Sequence, residues 1–394
     1  MKFNQWTLAL AGVGIVSLGS VVQAEEQHSV MTALSSTTLS GYVDTSASWW
    51  VGTAHGGAIP GRTFDGGNKQ DGFNLNAVKL VLEKPLGDAS TWSAGYKADL
   101  VFGPDADYYA SRNTITPATT TANNLAVKQA YVSLRAPVGN GLDFKMGVWD
   151  TLIGYEFFES GANPNYSRSY GYAIEPTHHT GLLASYKIND MFSLSGGIAN
   201  AYVGGINDRP VTESKKTYLA AITITLPESA GAMKNSVISL GYVGGQAGAG
   251  SVAANVHDTR SYYAGFTLNT PVEGLTVGAA WDYRQDAAPG AGVAPLSAVN
   301  DAYAVALYAT FGRDKWKLNL RGDYTQASNG TYYVVPTGDR NELLSVTGDL
   351  EYNLWENVLT RLELRWDRAL SGDKPFGDKD ENAVTVALNA IYKF

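Results

Sequence analysis

From about residue 38 to the C-terminus, apolar residues recur at every second position in runs of roughly 10 to 13, a period that builds strands and not helices. Trp92, Ala94, Tyr96, Ala98, Leu100 and Phe102 alternate with Ser93, Gly95, Lys97, Asp99 and Val101, so one face is greasy and the other wet. Residues 275–283, 316–324 and the last run, 384–394, which ends on Phe394, repeat the pattern. Marking every such run predicts about sixteen strands, near 38–51, 72–84, 91–103, 124–136, 141–151, 177–188, 191–202, 216–226, 236–245, 259–269, 274–285, 300–311, 315–326, 341–353, 358–368 and 382–394.

The connections alternate in length. Links such as Leu86-Gly87-Asp88, Asn189-Asp190 and Trp355-Glu356-Asn357 are short, with 227–235 longer than its class, while 52–71, 104–123, 152–176, 203–215, 246–258, 286–299, 327–340 and 369–381 are long. An even strand count with this alternation puts every long loop on one rim and both termini on the other, the asymmetry of outer-membrane barrels. A soluble sandwich also alternates, but with shorter strands and no reason for a one-rim bias.

Composition points the same way. Charged residues make up 17% of the chain, against about a quarter in soluble domains, while Gly (43) and Tyr (23) are abundant. No later stretch is apolar enough for a spanning helix, and in hydrocarbon a strand-built structure must close on itself to pair its backbone. The expected fold is therefore all-β: a transmembrane antiparallel up-and-down barrel with short periplasmic turns and long extracellular loops. Aromatics at strand ends, among them Trp49, Trp50, Phe311, Trp316 and Tyr392, suit girdles at the two interfaces. Around sixteen strands leave an aqueous channel.

Residues 1–24 read as a secretory signal: Lys2, a short apolar core over 8–22, and Val22-Gln23-Ala24 before Glu25. Residues 25–37 are then a short periplasmic segment, and 38–394 a single barrel domain exported to the bacterial outer membrane. The formal charge of −8 offers no footprint for nucleic acid, and the absence of Cys excludes disulfides, thiolate metal sites and thiol nucleophiles. His178-His179 would point to opposite faces of a strand and has no acidic or thiol neighbours in sequence, so no metal and no cofactor are expected. No Ser stands in a nucleophile setting such as Gly-x-Ser-x-Gly, so no catalytic residues and no enzyme are expected.

The candidate site is the pore. The connection 152–176 carries Glu156, Glu159 and Arg168 among aromatics, and Arg361, Glu363, Arg365 and Asp367 fall on one face of one strand, with Arg321 on another wet face. Two placements fit the loop. Folded inward, it would set Glu156 and Glu159 against wall cations such as Arg321, Arg361 and Arg365, with a transverse field at a constriction. Folded outward, its carboxylates would be solvated.

The stretch 141–156 (Gly-Leu-Asp-Phe-Lys-Met-Gly-Val-Trp-Asp-Thr-Leu-Ile-Gly-Tyr-Glu), followed by Asn163-Pro164-Asn165-Tyr166-Ser167-Arg168-Ser169 and Thr177-His178-His179-Thr180-Gly181, resembles the β-barrel porin type 2 (OmpL-like) family. Gly41-Tyr42-Val43-Asp44 and Ile391-Tyr392-Lys393-Phe394 fit as well. The resemblance implies an outer-membrane porin that passes small hydrophilic solutes or ions. Its partners would be outer-membrane lipids, those solutes and, for a homotrimer, copies of itself. The alternatives are a closed structural or adhesive barrel and an outer-membrane barrel enzyme.

Overall fold

The computed structural model describes residues 36–52, 59–109, 124–211, 214–248, 258–286, 300–335, 338–377 and 379–394. The expected signal peptide and most of the segment 25–37 lie outside the described residues.

The alternating runs form sixteen strands: β1 Thr38–Trp50, β2 Gly72–Lys84, β3 Ser93–Phe102, β4 Leu125–Ala136, β5 Leu142–Asp150, β6 His178–Lys187, β7 Phe192–Ala199, β8 Thr217–Thr225, β9 Val237–Gln246, β10 Asp258–Asn269, β11 Leu275–Asp286, β12 Asn300–Arg313, β13 Trp316–Ala327, β14 Asn341–Trp355, β15 Val358–Ala369 and β16 Asn382–Lys393. Each strand pairs antiparallel with its sequence neighbours, and β1 pairs with β16, so the barrel closes without an edge. Strand ends agree with the sequence periodicity to within three residues. The largest difference is at β7: beyond Ala199 the chain leaves its ladder and turns inward, and Tyr202 takes a backbone bond to Gln246 and a 2.6 Å side-chain bond to Ser261.

The burial pattern is inside out. On β15 Arg361, Glu363, Arg365 and Asp367 are buried toward the lumen, whereas Leu362 and Leu364 are 46% and 55% exposed on the outer face. An outer face of bare leucines is tolerable only against lipid. Two aromatic belts bound it. At the long-loop rim Tyr242, Tyr262, Tyr283 and Tyr303 face one another across successive strands, with ring centroids 5.2 Å apart for Tyr242–Tyr262 and 6.2 Å for Tyr262–Tyr283. Near the short-turn rim Trp316 packs on Tyr352 at 4.3 Å.

Leu364 lies at the middle of β15, so Leu364→Arg is expected to cost about 2–4 kcal/mol of folding free energy. Urea titration of the barrel folded into phospholipid vesicles checks this, and a loss under about 1 kcal/mol would contradict a lipid-facing mid-bilayer position.

Candidate functional site: a loop crossing the lumen

The chain between β5 and β6 turns into the barrel and touches opposite walls. Its first arm is apolar. Leu152, Ile153 and Tyr155 pack with Leu183, Leu219, Val243 and Tyr308, on a wall that β6 to β12 line mostly with small uncharged side chains. Glycine there is required by close approach. A Cβ on Gly241 would stand 2.5 Å from Ile153 Cγ2, and one on Gly278 would stand 2.2 Å from the Tyr155 hydroxyl. Tyr155 also stacks on Tyr308 at 4.2 Å and accepts a 3.0 Å hydrogen bond from Thr267.

The next residues meet the charged wall. Glu156 pairs with Arg321 at 2.9 Å and accepts two 2.7 Å bonds from the Ser169 N–H and hydroxyl. Arg321 also pairs with Asp323 at 3.1 Å and donates to Ser167 O at 2.6 Å. Glu363 accepts the Ser167 N–H, and Arg365 donates to the Ser167 hydroxyl and to Asp367. A single-turn helix, α1 (Tyr170–Ile174), is tied to the same wall by Tyr170 N–H to Asp323 at 3.0 Å and Tyr170 O–H to Asp367 at 2.7 Å. Above it Arg62, from the loop after β1, also pairs with Asp367, at 2.9 Å. Arg361 donates to Asn389, Ser160 and Asn163 O. Arg168 closes the loop on itself by donating to the carbonyls of Phe157, Phe158 and Tyr166, with its guanidinium 5.0 Å from the Phe64 ring.

Glu159 departs from the sequence expectation. It does not face Arg321, Arg361 or Arg365. It lies between Lys79 (2.5 Å) and Lys128 (3.3 Å), which also hold Asp99 and Asp150. An odd spacing in extended chain turns side chains to opposite sides, so Glu156 and Glu159 reach different walls. Burial raises the Glu159 carboxyl, but the ammonium groups of Lys128 and Lys79 outweigh it and hold the group well below the carboxylate range.

The two lysines were obscured in the sequence by bulges. The β1–β2 register shifts between Asp44 and Thr45, and the β3–β4 register shifts between Asp99 and Leu100. Each bulge skips a residue and changes the phase of the alternation beyond it. A lysine that breaks an otherwise apolar phase, as Lys79 does after Phe73, Leu75 and Ala77, is the signal that could have exposed one.

The loop leaves the lumen past a pair of acids. Glu175 is hydrogen-bonded to Asp282, and both carboxyls lie against loop glycines: a Cβ on Gly154 would be 2.4 Å from Glu175, and one on Gly171 would be 2.5 Å from Asp282. Burial first, then the charge and hydrogen bond of Asp282, then Glu156, push the Glu175 carboxyl far above its usual range. His178 packs at a tilt against Tyr109, ring centroids 5.4 Å apart, and His179 bonds Thr151 at 3.2 Å. Among the described residues no group of His, Cys, Asp and Glu is arranged to hold a metal.

Water reaches this assembly unevenly. The side chains of Arg321, Glu156, Arg365 and Asp367 are at most 1% accessible, whereas Glu159 and Asp150 retain 23% and 21%.

Known proteins share this architecture. None of the curated protein sequences matches the chain. Among solved structures, an anion-selective porin from Comamonas acidovorans aligns over 91% of this chain and 99% of its own, with 13% identity and a TM-score of 0.58. The outer membrane channel DcaP of Acinetobacter baumannii aligns over 91% and 97%, with 14% identity and a TM-score of 0.57. OmpT of Vibrio cholerae, in-vitro folded and in trimer form, aligns over 91% and 99%, with 13% identity and a TM-score of 0.56. At such identities the likeness is one of fold: a closed outer-membrane barrel. Residues 36–394 match the family described as "Putative beta-barrel porin-2, OmpL-like", and the chain belongs to that family of outer-membrane porins.

Proposed function

We propose that in this porin, a passive diffusion channel for small hydrophilic solutes and ions, the loop between β5 and β6 sets the bore and its charges set what passes. The observation that carries the reading is that the loop is braced across the lumen: Leu152, Ile153 and Tyr155 pack on the β6–β12 wall, and Glu156 and Glu159 are salt-bridged to the charged wall, to Arg321 of β13 and to Lys79 of β2 with Lys128 of β4. A segment braced across a lumen narrows it at that height. The dry arginine side then acts mainly as an anchor, and the wetter lysine side as the electrostatic face. Export by the signal over residues 1–24 and assembly as a homotrimer belong to the same reading. Trimer form in the Vibrio cholerae OmpT structure supports the assembly.

Planar-bilayer conductance with liposome swelling by sugars of graded size tests the bore, and a barrel that passes neither ions nor the smallest sugar would overturn the reading. Glu156→Ala leaves buried Arg321 with Asp323 as its carboxylate, and removing one partner of a buried pair costs about 3–5 kcal/mol. The expected outcome is an unsteady, noisier open level. Glu159→Gln keeps the volume but removes one of the three carboxylates that hold Lys79 and Lys128, so reversal potentials in a salt gradient are expected to move toward anions.

The acid pair adds a pH prediction. The docked loop holds Glu175 in its protonated form, so docking is strongest below the ordinary carboxyl range and weakens as pH rises toward the elevated value. The charged or titratable groups facing the pair are Glu156, Tyr263 and Tyr332. Single-channel records are expected to be quiet at acidic pH and to fluctuate increasingly as pH rises, while Glu175→Gln, which cannot ionise, stays quiet throughout. Equal fluctuation in the two proteins would refute this latch.

A further inference from the structure

Below the loop, the periplasmic half of the lumen along β2 to β6 holds a small cavity of about 60 Å³ bounded by Tyr131, Ser133, Lys145 and Ser185. It shares Asp143 and Ser185 with a cleft of about 960 Å³ that opens between the periplasmic turns. Water therefore reaches this wall from the periplasm.

Most of the charges there are paired, and Lys145 is not. Asp143 takes a two-pronged bond from Arg135 at 2.5 and 2.6 Å, Glu83 pairs with Lys97 at 3.5 Å, and Lys187 pairs with Asp190 at 2.7 Å. Lys145 has no carboxylate within 4.0 Å among the described residues. Its ammonium lies 4.9 Å from the centre of the Tyr131 ring, which is attractive but brings no negative charge. The charged groups around it are Lys97, Asp150, Glu83 and Asp143. Asp143 and Glu83 are committed to Arg135 and Lys97. Asp150 is committed to Lys128. Each carboxylate near Lys145 is thus held by another cation, and among the described residues Lys145 has none of its own.

Resting on the porin reading above, we propose that Lys145 is a specificity-determining residue of the channel, a transient site in the vestibule for small anions such as chloride, carboxylates or inorganic phosphate. A fixed charge acts on a passing ion where it borders water and has no carboxylate in contact, and Lys145 lines the cavity without one. The hydroxyls of Ser133 and Ser185 supply neutral donors beside it.

The test is the reversal potential of the purified full-length protein in planar bilayers under a potassium chloride gradient, repeated with potassium phosphate. Lys145→Gln is expected to lower the anion-to-cation permeability ratio about tenfold, about threefold lost for the anion and about threefold gained for the cation, the factor for one charge some 6 Å from an ion in water. Lys145→Glu is expected to lower it further, and Lys234→Gln, which removes an exposed cation from a periplasmic turn, to leave it unchanged. Because the chain has no Cys, Lys145→Cys gives a unique thiol in the open channel. A cationic methanethiosulfonate is expected to restore the wild-type ratio and an anionic one to reverse it. Unchanged selectivity in Lys145→Gln and Lys145→Glu, or a thiol that does not react from the periplasmic side, overturns the proposal alone. A wild-type protein that does not conduct overturns the porin reading and this proposal with it.

Discussion

Everything in this barrel follows from one constraint: in hydrocarbon, each backbone N–H and C=O must find its partner within the protein. Strands can meet it only by closing, and β1 pairing with β16 completes the ring. Closure in turn fixes the division of side chains, because alternate residues must face lipid or lumen. The outer set, such as Leu362 and Leu364, needs no polarity, and the inner set can be as charged as the enclosed water and counter-charges allow. The 17% of charged residues is thereby divided mainly between lumen and loops.

The lumen is not uniform. From β6 to β12 its lining is mostly small and uncharged, and from β13 round to β5 it is densely charged. The inward loop matches both, with an apolar arm of Leu152, Ile153 and Tyr155 for the first and a polar arm from Glu156 to Arg168 for the second. Glycines at 241 and 278 remove the side chains that would hold the first arm off the wall. The loop's position is therefore written in two places, in its own amphipathic sequence and in residues more than sixty positions away. Deleting either half of the match would leave buried polar groups or apolar surface unsatisfied.

How much of this was legible in the sequence depended on whether the signal was local. Strand positions were, since a period of two survives wherever hydrogen bonding is regular, and β14 or β15 could be read almost to the residue. The loop's inward path was not, because aromatics with carboxylates suit a packed plug and a solvated surface alike. What decides it is the glycine wall opposite, which no local window shows. Lys79 and Lys128 were hidden for a different reason: each lies beside a bulge, where one extra residue reverses the phase. The partners of Glu159 could not be assigned without the path of the chain between it and Glu156.

This distribution also explains why a census of charge is a poor guide to what the channel prefers. Arg321, Arg365, Glu156 and Asp367 are the most conspicuous charges in the sequence, yet they are shut away from water and spend their fields on one another. In such a network the attraction largely offsets the desolvation of its members, and little potential is left to act on an ion outside it. Selectivity then falls to fewer and less prominent groups, those wet enough to meet a solute and lacking a partner to cancel them. The formal charge of −8 counts loop acids, anchored pairs and free cations alike, so its sign carries no information about the ion that permeates.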